Sequence, residues 1–167
     1  MKEIALNILD IAQNSRKAGA GNIRIEVKEL RSEDLLEIRI EDDGHGIDPE
    51  ILKHVEDPFT TTRTTRKIGM GIPLLKYHAE LCGGEIGIES KAGSGTRIRA
   101  VFRLEHIDRQ PLGDIAGVIK ILLMSAEKAE IHYRHRTDKG DYEISSTEIK
   151  KVLEIPGLTD PKLGEQL

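Results

Sequence analysis

"LLEIRIEDDGHGIDPE", Leu35 to Glu50, runs from an alternating apolar stretch through three acidic residues and two glycines into an Asp-Pro pair. Leu36, Ile38 and Ile40 alternate with polar residues, which predicts a strand with one buried face. Asp48 and Pro49 suit the cap and first position of a short helix running through Ile51 to Val55. Between strand and helix, Glu41 to Ile47 must turn tightly while carrying three carboxylates. Taken alone, that turn is also what any acidic surface turn looks like, because Asp and Gly supply such turns readily. Its meaning depends on its neighbours.

Upstream, the apolar positions Ile4, Ala5, Ile8, Ile11 and Ala12, with Ser15 and Ala18, have the three-and-four spacing of an amphipathic helix, and Gly19 and Gly21 stop it. Asn7, Asp10 and Asn14 are three and four apart and fall on the opposite side. "NIRIEVKEL", Asn22 to Leu30, predicts a second strand, and the polar "RSED" between the two strands suits a hairpin connection. Downstream, Glu56 to Met70 has little periodicity and reads as a loop, long enough for a compact domain to suggest function or disorder. "GIPLLKYHAELCGG" predicts a helix with Pro73 in its first turn and Gly83 as its stop. "GEIGIESK" and "GTRIRAVFRL" are two further strands, closing a unit at residues 1–104.

Residues 105–167 form an extension. "GDIAGVIKILLMSAEKA" predicts a helix and "EIHYRHRTDKGDYEIS" a hairpin turning at Asp138 to Asp141. "STEIKKVLEI" predicts a short helix with capping-box spacing at Ser146 or Thr147. The final "PGLTDPKLGEQL" reads as a loosely held tail. His132 and His135, three apart on a strand, point to opposite faces and make a poor metal pair.

At 167 residues, with 38% hydrophobic and 32% charged residues, the chain has an ordinary globular composition, but 3% aromatic and no Trp leave the core to Ile, Leu and Val. The net charge of -4 is spread out: 16 Lys/Arg against 17 Asp/Glu in residues 1–104, and 9 against 12 in the rest. Neither part has the basic footprint of a nucleic-acid binder. Cys82 is the sole cysteine, which excludes an internal disulfide and a cysteine-based zinc site. No signal-peptide pattern and no apolar run of membrane-spanning length is present, so the expectation is a cytoplasmic protein with no membrane partner.

Three clusters are suited to a nucleotide. Carboxylate and amide oxygens on the first helix can hold a hydrated magnesium ion, which favours a few protein oxygens plus phosphate. In "DPFTTTRTTRKIGMGI" the cations Arg63, Arg66 and Lys67 precede Gly69, Gly71 and a helix N-terminus, a setting that suits polyphosphate. "GSGT", Gly93 to Thr96, is by itself only a turn. Each cluster also has a plain reading, as a solvated face, a basic loop or a turn. With the Asp-x-Gly-x-Gly of Asp42 to Gly46 they make four matches in one fixed order within about 95 residues, which is more specific than any one of them.

In that order the chain resembles the GHKL, or Bergerat-fold, ATP-binding domain shared by gyrase B, Hsp90, sensor histidine kinases and MutL. "LDIAQNSRKAGAGNIRIEV" is similar to the N box and "DDGHGI" to the G1 box. "DPFTTTR" and "GMGIPLL" are similar to the lid and G2 box, and "GSGT" to the final glycine motif. The resemblance covers residues 4 to 104 and implies an α/β (α+β) two-layer sandwich, a mixed sheet backed by helices, followed here by a small extension with helices and a β-hairpin.

The resemblance further implies ATP and Mg2+ as cofactors. Asn14 would ligate the magnesium, Asp42 would accept a hydrogen bond from the adenine amino group, and Gly44 and Gly46 would give the ring clearance. Thr96 would support the adenine end. Lys17, Ile47, Met70 and Ile72 would complete the pocket. Gly69 and Gly71 would offer amides to the phosphates, and Thr61, Thr62, Arg63 and Lys67 would close over them from the lid. Asp10 stands where the hydrolysing members and the anti-sigma-factor kinases have a glutamate base, one methylene shorter here. Pro73 stands where many histidine kinases have a third glycine.

No His-Glu/Asp phosphoacceptor helix precedes residue 4, so the expected phosphoacceptor is a Ser or His of a separate, unidentified partner protein. The implied function is a regulatory kinase or ATPase of the histidine-kinase-like type. The alternative is a binding switch controlled by ATP without productive phosphotransfer. A homodimer is compatible with both. The extension would dock the partner or cover the sheet edge.

Overall fold

The two alternating runs pair as their pattern requires. In a computed structural model, β1 (Asn22–Leu30) and β2 (Leu35–Asp42) are antiparallel, with Ile25 opposite Ile40 and Val27 opposite Ile38. The structure describes residues 2–55, 70–126 and 128–153. Beside β2 lies β4 (Gly95–Arg103), and beyond it β3 (Glu85–Lys91), both antiparallel to their neighbours. On the other side β5 (Glu130–Thr137) runs parallel to β1 and is followed by the antiparallel β6 (Gly140–Ser145). The sheet order is β3-β4-β2-β1-β5-β6, so the extension's hairpin continues the sheet of the first 104 residues.

One face of this sheet is apolar. Ile23, Ile25, Leu36, Ile38, Phe102 and Ile131 are fully buried there, each contributing on the order of 1.5–3 kcal/mol from removal of apolar surface from water. The helices that cover it are α1 (Ile4–Lys17), α3 (Gly71–Leu81), α4 (Ile115–Met124) and α5 (Ser146–Leu153), while α2 (Pro49–Val55) follows the acidic turn. Ile4, Ile8 and Ile11 on α1 and Leu75 and Ala79 on α3 join the same core. Glu3 gives α1 no side-chain cap. Instead the amides of Ile4 and Ala5 donate to the carbonyls of Pro111 and Leu112, at 3.1 and 2.9 Å, so the extension satisfies the helix start.

The opposite face is a lattice of charge. Glu37, only 3% exposed, accepts hydrogen bonds from Lys28 Nζ at 3.2 Å and Arg99 Nε at 2.7 Å, and Arg39 Nε lies 2.8 Å away as an ion-pair partner. Burial by itself would raise this carboxyl, but hydrogen bonds from Lys28 and Arg99 outweigh it and hold it below the usual glutamate range.

Three local expectations need correction. Asn7 is not on a solvated polar face: it is fully buried, and neither carboxamide atom has a hydrogen-bond partner among the described residues. The reason is tertiary, because α3 starts directly over it; a Cβ on Gly71 would lie 3.1 Å from the Asn7 carbonyl. "RSED" does connect β1 and β2 as a hairpin, through a 3-10 turn, Arg31–Glu33, followed by Asp34 in the left-handed region at φ 50°. Asp34 then accepts from the Glu105 amide and the Arg103 guanidinium. Helix α4 stops at Met124 rather than running to Ala129, and Ser125 beyond it accepts both Arg16 nitrogens, through its hydroxyl at 2.9 Å and its carbonyl at 2.5 Å. The capping box of α5 belongs to Ser145: its amide donates to Glu148 Oε2 at 2.8 Å and its hydroxyl accepts the Glu148 amide at 3.3 Å.

His135 is buried between the Tyr133 hydroxyl, 2.9 Å from Nδ1, and Glu29, 2.8 Å from Nε2. Burial drives the Tyr133 hydroxyl up from its ordinary range, so it stays protonated and links the imidazole into the core.

Candidate functional site

Strand β2 ends by delivering Asp42 to the C-terminal end of α1. Ser15, 4% exposed, donates to Asp42 Oδ2 at 2.5 Å, and the Gly44 amide donates to Oδ1 at 2.9 Å, so both carboxylate oxygens are fixed. The other two acids of the turn have structural tasks. Asp43 receives the side chain of Asn22 and the amides of Asn22 and Gly21, at 2.7 to 2.8 Å, and these bonds, the Asn22 side chain foremost, hold its carboxyl below the usual aspartate range. Glu41 pairs with Arg97 Nε at 3.0 Å on the neighbouring strand.

The turn itself is clamped from two sides. The His45 amide donates to the Ala18 carbonyl and the Gly93 amide to the His45 carbonyl, both at 2.9 Å, which joins "DDGHGI" to the end of α1 and to "GSGT". Gly46 has φ +79°, and a Cβ there would sit 2.5 Å from the Lys91 carbonyl, so any side chain would force the turn off β3. The Ile47 amide then donates to Ser90 Oγ at 2.7 Å. Asp48 starts α2 as expected: its side chain accepts the Glu50 amide at 2.8 Å and its carbonyl accepts the Leu52 amide.

These elements enclose a cavity of about 620 Å³. Asn14, Ser15, Lys17 and Ala18 line it from α1, and Asp42, His45, Gly46, Ile47 and Asp48 from the turn. Ile72 comes from α3, and Thr96 and Ile98 from β4. Most of the wall is apolar, with Asp42 and Thr96 side by side as direct cross-strand partners. Such a cavity, apolar with a few convergent polar groups, is the usual form of a small-molecule site.

The structure therefore brings Asn14, Lys17, Asp42, Gly46, Ile47, Ile72 and Thr96 together around one space, with Gly44 fixed on Asp42 behind it. Thr61, Thr62, Arg63, Arg66, Lys67 and Gly69 lie outside the described residues. Met70 is exposed and does not line the cavity. Asp10 and Gly71 are bonded to each other: the Gly71 amide donates to Asp10 Oδ2 at 2.8 Å, which makes Asp10 a cap on the N-terminus of α3. A Cβ on Gly71 would come 2.7 Å from that same oxygen, so the contact depends on glycine. Among the described residues no cluster of three His, Cys, Asp or Glu is placed to hold a metal, and Asn14 lies on the cavity wall.

Two residues of the site went unseen in the sequence. Ser15 falls in the apolar stripe of α1 and looks like a small core residue; its position one after Asn14 was the available signal. Ser90 is an ordinary alternating position of β3, and nothing short of the β3-β4 register shows that it reaches Ile47 and Thr96.

Comparison with known proteins agrees with this architecture. The profile of the family described as histidine kinase-, DNA gyrase B- and HSP90-like ATPase matches residues 1–106. Among curated relatives, the sensor protein SrrB of Staphylococcus aureus is 37% identical over 101 residues, 58% of this chain and 17% of its own. The histidine protein kinase DivJ of Caulobacter vibrioides is 32% identical over 102 residues, 59% of this chain and 17% of its own. This chain thus spans less than a fifth of the length of these relatives. The solved structure of the Aquifex aeolicus MutL ATPase domain complexed with ADP superposes with a TM-score of 0.50 at 16% identity, covering 92% of this chain and 68% of that one, a likeness of fold. On the match over residues 1–106, and with a mixed sheet backed by helices, the chain belongs to the family of histidine kinase-, DNA gyrase B- and HSP90-like ATPases.

Proposed function

We propose that the cavity binds Mg-ATP and that the protein is a cytoplasmic regulator acting on a separate partner protein, as a kinase or ATPase of the histidine-kinase-like type. The observation that carries this is Asp42, a carboxylate whose two oxygens are held by Ser15 and Gly44 while it faces an apolar cavity of about 620 Å³. A fixed acceptor in an apolar slot reads an amino group on a flat ring, and the adenine of ATP has one. Asn14 and Lys17, further along the same wall, are suited to the phosphate end, Asn14 supplying an oxygen to the magnesium ion that phosphates retain. When bound, that ion would neutralise charge on the phosphates. Residues 1–104 are the nucleotide unit in this reading and residues 105–167 the partner-facing extension.

In the kinase version Asp10 takes the proton from a partner's hydroxyl or imidazole, and must first release the Gly71 amide. A second reading is favoured by that same bond. With Asp10 serving as the cap of α3, the carboxylate has a structural task, and the Gly71 amide points at protein rather than at a phosphate. A binding switch needs only that: ATP and Asp10 compete for the start of α3, and the partner senses which one holds it.

Titration of a fluorescent ATP analogue, with and without magnesium, tests the common premise. Binding in the micromolar range, strengthened by magnesium, is expected. Absence of binding at millimolar nucleotide would remove both versions. Asp10→Asn then separates them, because a kinase loses turnover at unchanged ATP affinity, whereas a switch keeps its partner.

A further inference from the structure

Asp42, Thr96 and Ser90 form one row across β2, β4 and β3, as direct cross-strand partners. Asp42 and Thr96 line the cavity, and Ser90 stands behind Thr96, outside it. Three polar atoms surround Ser90 Oγ: the Ile47 amide at 2.7 Å, the Gly95 carbonyl at 3.1 Å and Thr96 Oγ1 at 3.0 Å. A hydroxyl has one proton and two lone pairs. The Ile47 N–H can only donate, so it takes one lone pair. The Gly95 carbonyl can only accept, so it takes the proton. One lone pair remains for Thr96, which must therefore spend its own proton on Ser90.

We infer that Ser90 sets the base selectivity of the cavity by holding the Thr96 hydroxyl as an acceptor. With its proton committed to Ser90, Thr96 turns only lone pairs toward the cavity, beside a carboxylate that also only accepts. Two adjacent acceptors match an exocyclic amino group with two N–H bonds and repel a carbonyl oxygen in the same place. The row thus selects 6-aminopurine nucleotides over 6-oxopurine nucleotides. Ser90 is a positioning residue, acting through Thr96. This inference rests on the nucleotide reading of the cavity and adds to it the residue that enforces the choice of base.

The test is competition of ATP and ITP against a fluorescent nucleotide on the full chain, for wild type, Ser90→Ala and Ser90→Thr. ITP replaces the 6-amino group of ATP by a carbonyl oxygen and carries a proton on N1, a difference common to wild type and variants, so the change in the ATP/ITP ratio between them reads Ser90. Wild type is expected to prefer ATP by about tenfold or more, the scale of one hydrogen bond turned into a repulsion. In Ser90→Ala the Thr96 proton is free to meet the 6-oxo group, so the ATP/ITP ratio should fall by at least about fivefold, while Ser90→Thr keeps the ratio. If Ser90→Ala does not fold, Ser90→Cys fills the same space with a poor hydrogen-bonding group and should show the same fall. A variant that weakens ATP and ITP equally, or leaves the ratio unchanged, overturns the inference, as does loss of folding in both variants. Failure of wild type to bind either nucleotide refutes the nucleotide reading instead.

Discussion

Replacing Asp42 by asparagine exchanges one oxygen for an NH2 group, and the surroundings dictate which one. The Gly44 amide, 2.9 Å from Oδ1, is a donor with no alternative role, so the amide oxygen must face it. The nitrogen then faces Ser15 Oγ, where the carboxylate had accepted at 2.5 Å. Ser15 can adapt by reversing: it accepts from the new NH2 group and gives its proton to the Ile11 carbonyl, 3.3 Å away. The fold should therefore survive, at a cost of about 1 kcal/mol for a poorer bond in place of a charge-assisted one. The cavity changes more. A site that only accepted now also presents N–H, and an adenine amino group meets a donor. Hydrogen bonds to a charged group contribute about 1.5–3 kcal/mol, so ATP affinity should fall by about 10- to 100-fold. Fluorescence titration measures the affinity, and urea denaturation of the same samples measures the stability. An affinity loss below about threefold with intact folding would refute Asp42 as the base reader. So would a stability loss large enough to account for the weaker binding.

Glu37→Gln tests the outer face. Its three cations are 18%, 40% and 43% exposed in their side chains, so the 3–5 kcal/mol typical of breaking a buried pair must be discounted to about 2 kcal/mol, or roughly a 1 M shift of the urea midpoint at pH 7. Because the folded-state carboxyl lies below its unfolded value, this stability is present above the unfolded pKa and is lost as pH falls through the folded one. The difference between wild type and variant should shrink below about pH 4, and a pH-independent difference would refute the charge argument. Asp10→Ala removes the cap of α3 and should cost about 1 kcal/mol in a thermal or urea melt, whereas Asp10→Asn, which still accepts the Gly71 amide, should cost less than half of that. Ser145→Ala opens the α5 capping box, and hydrogen exchange of that helix's amides should quicken by about fivefold with little change elsewhere.

The sequence by itself determined the strands, most of the helices and which residues the cavity would gather. Period-two alternation over Ile23 to Val27 and Leu36 to Ile40, three-and-four spacing over Ile4 to Ala18, and an Asp-Pro start at Asp48 are local patterns. Local patterns fix local structure wherever one face must be buried. The resemblance carried by the ordered motifs named Asn14, Asp42, Ile47, Ile72 and Thr96, and the fold gathers them around one cavity. The capping box of α5 was misplaced by one or two residues because three hydroxyl side chains, Ser145, Ser146 and Thr147, stand in a row. Only the Glu130 carboxylate, which takes the hydroxyls of the last two, decides between them.

What tertiary structure alone decided is how polar groups are paired across distance. Asn7 looked solvated and is buried, since α3 crosses it. Asp10 looked free to act on a ligand and is bonded to Gly71, 61 positions away. Ser15 and Ser90 looked unremarkable and hold two polar groups of the cavity wall, Asp42 and Thr96. A hydrogen-bond partner is set by which backbone or side chain arrives within about 3 Å, and that depends on sheet order and register rather than on any residue's sequence neighbours. For "EDDGHGI" the consequence is a division of labour: Asp42 is aimed into the cavity by Ser15 and Gly44, while Glu41 and Asp43 are drawn off by Arg97 and Asn22 to hold the strands that carry it.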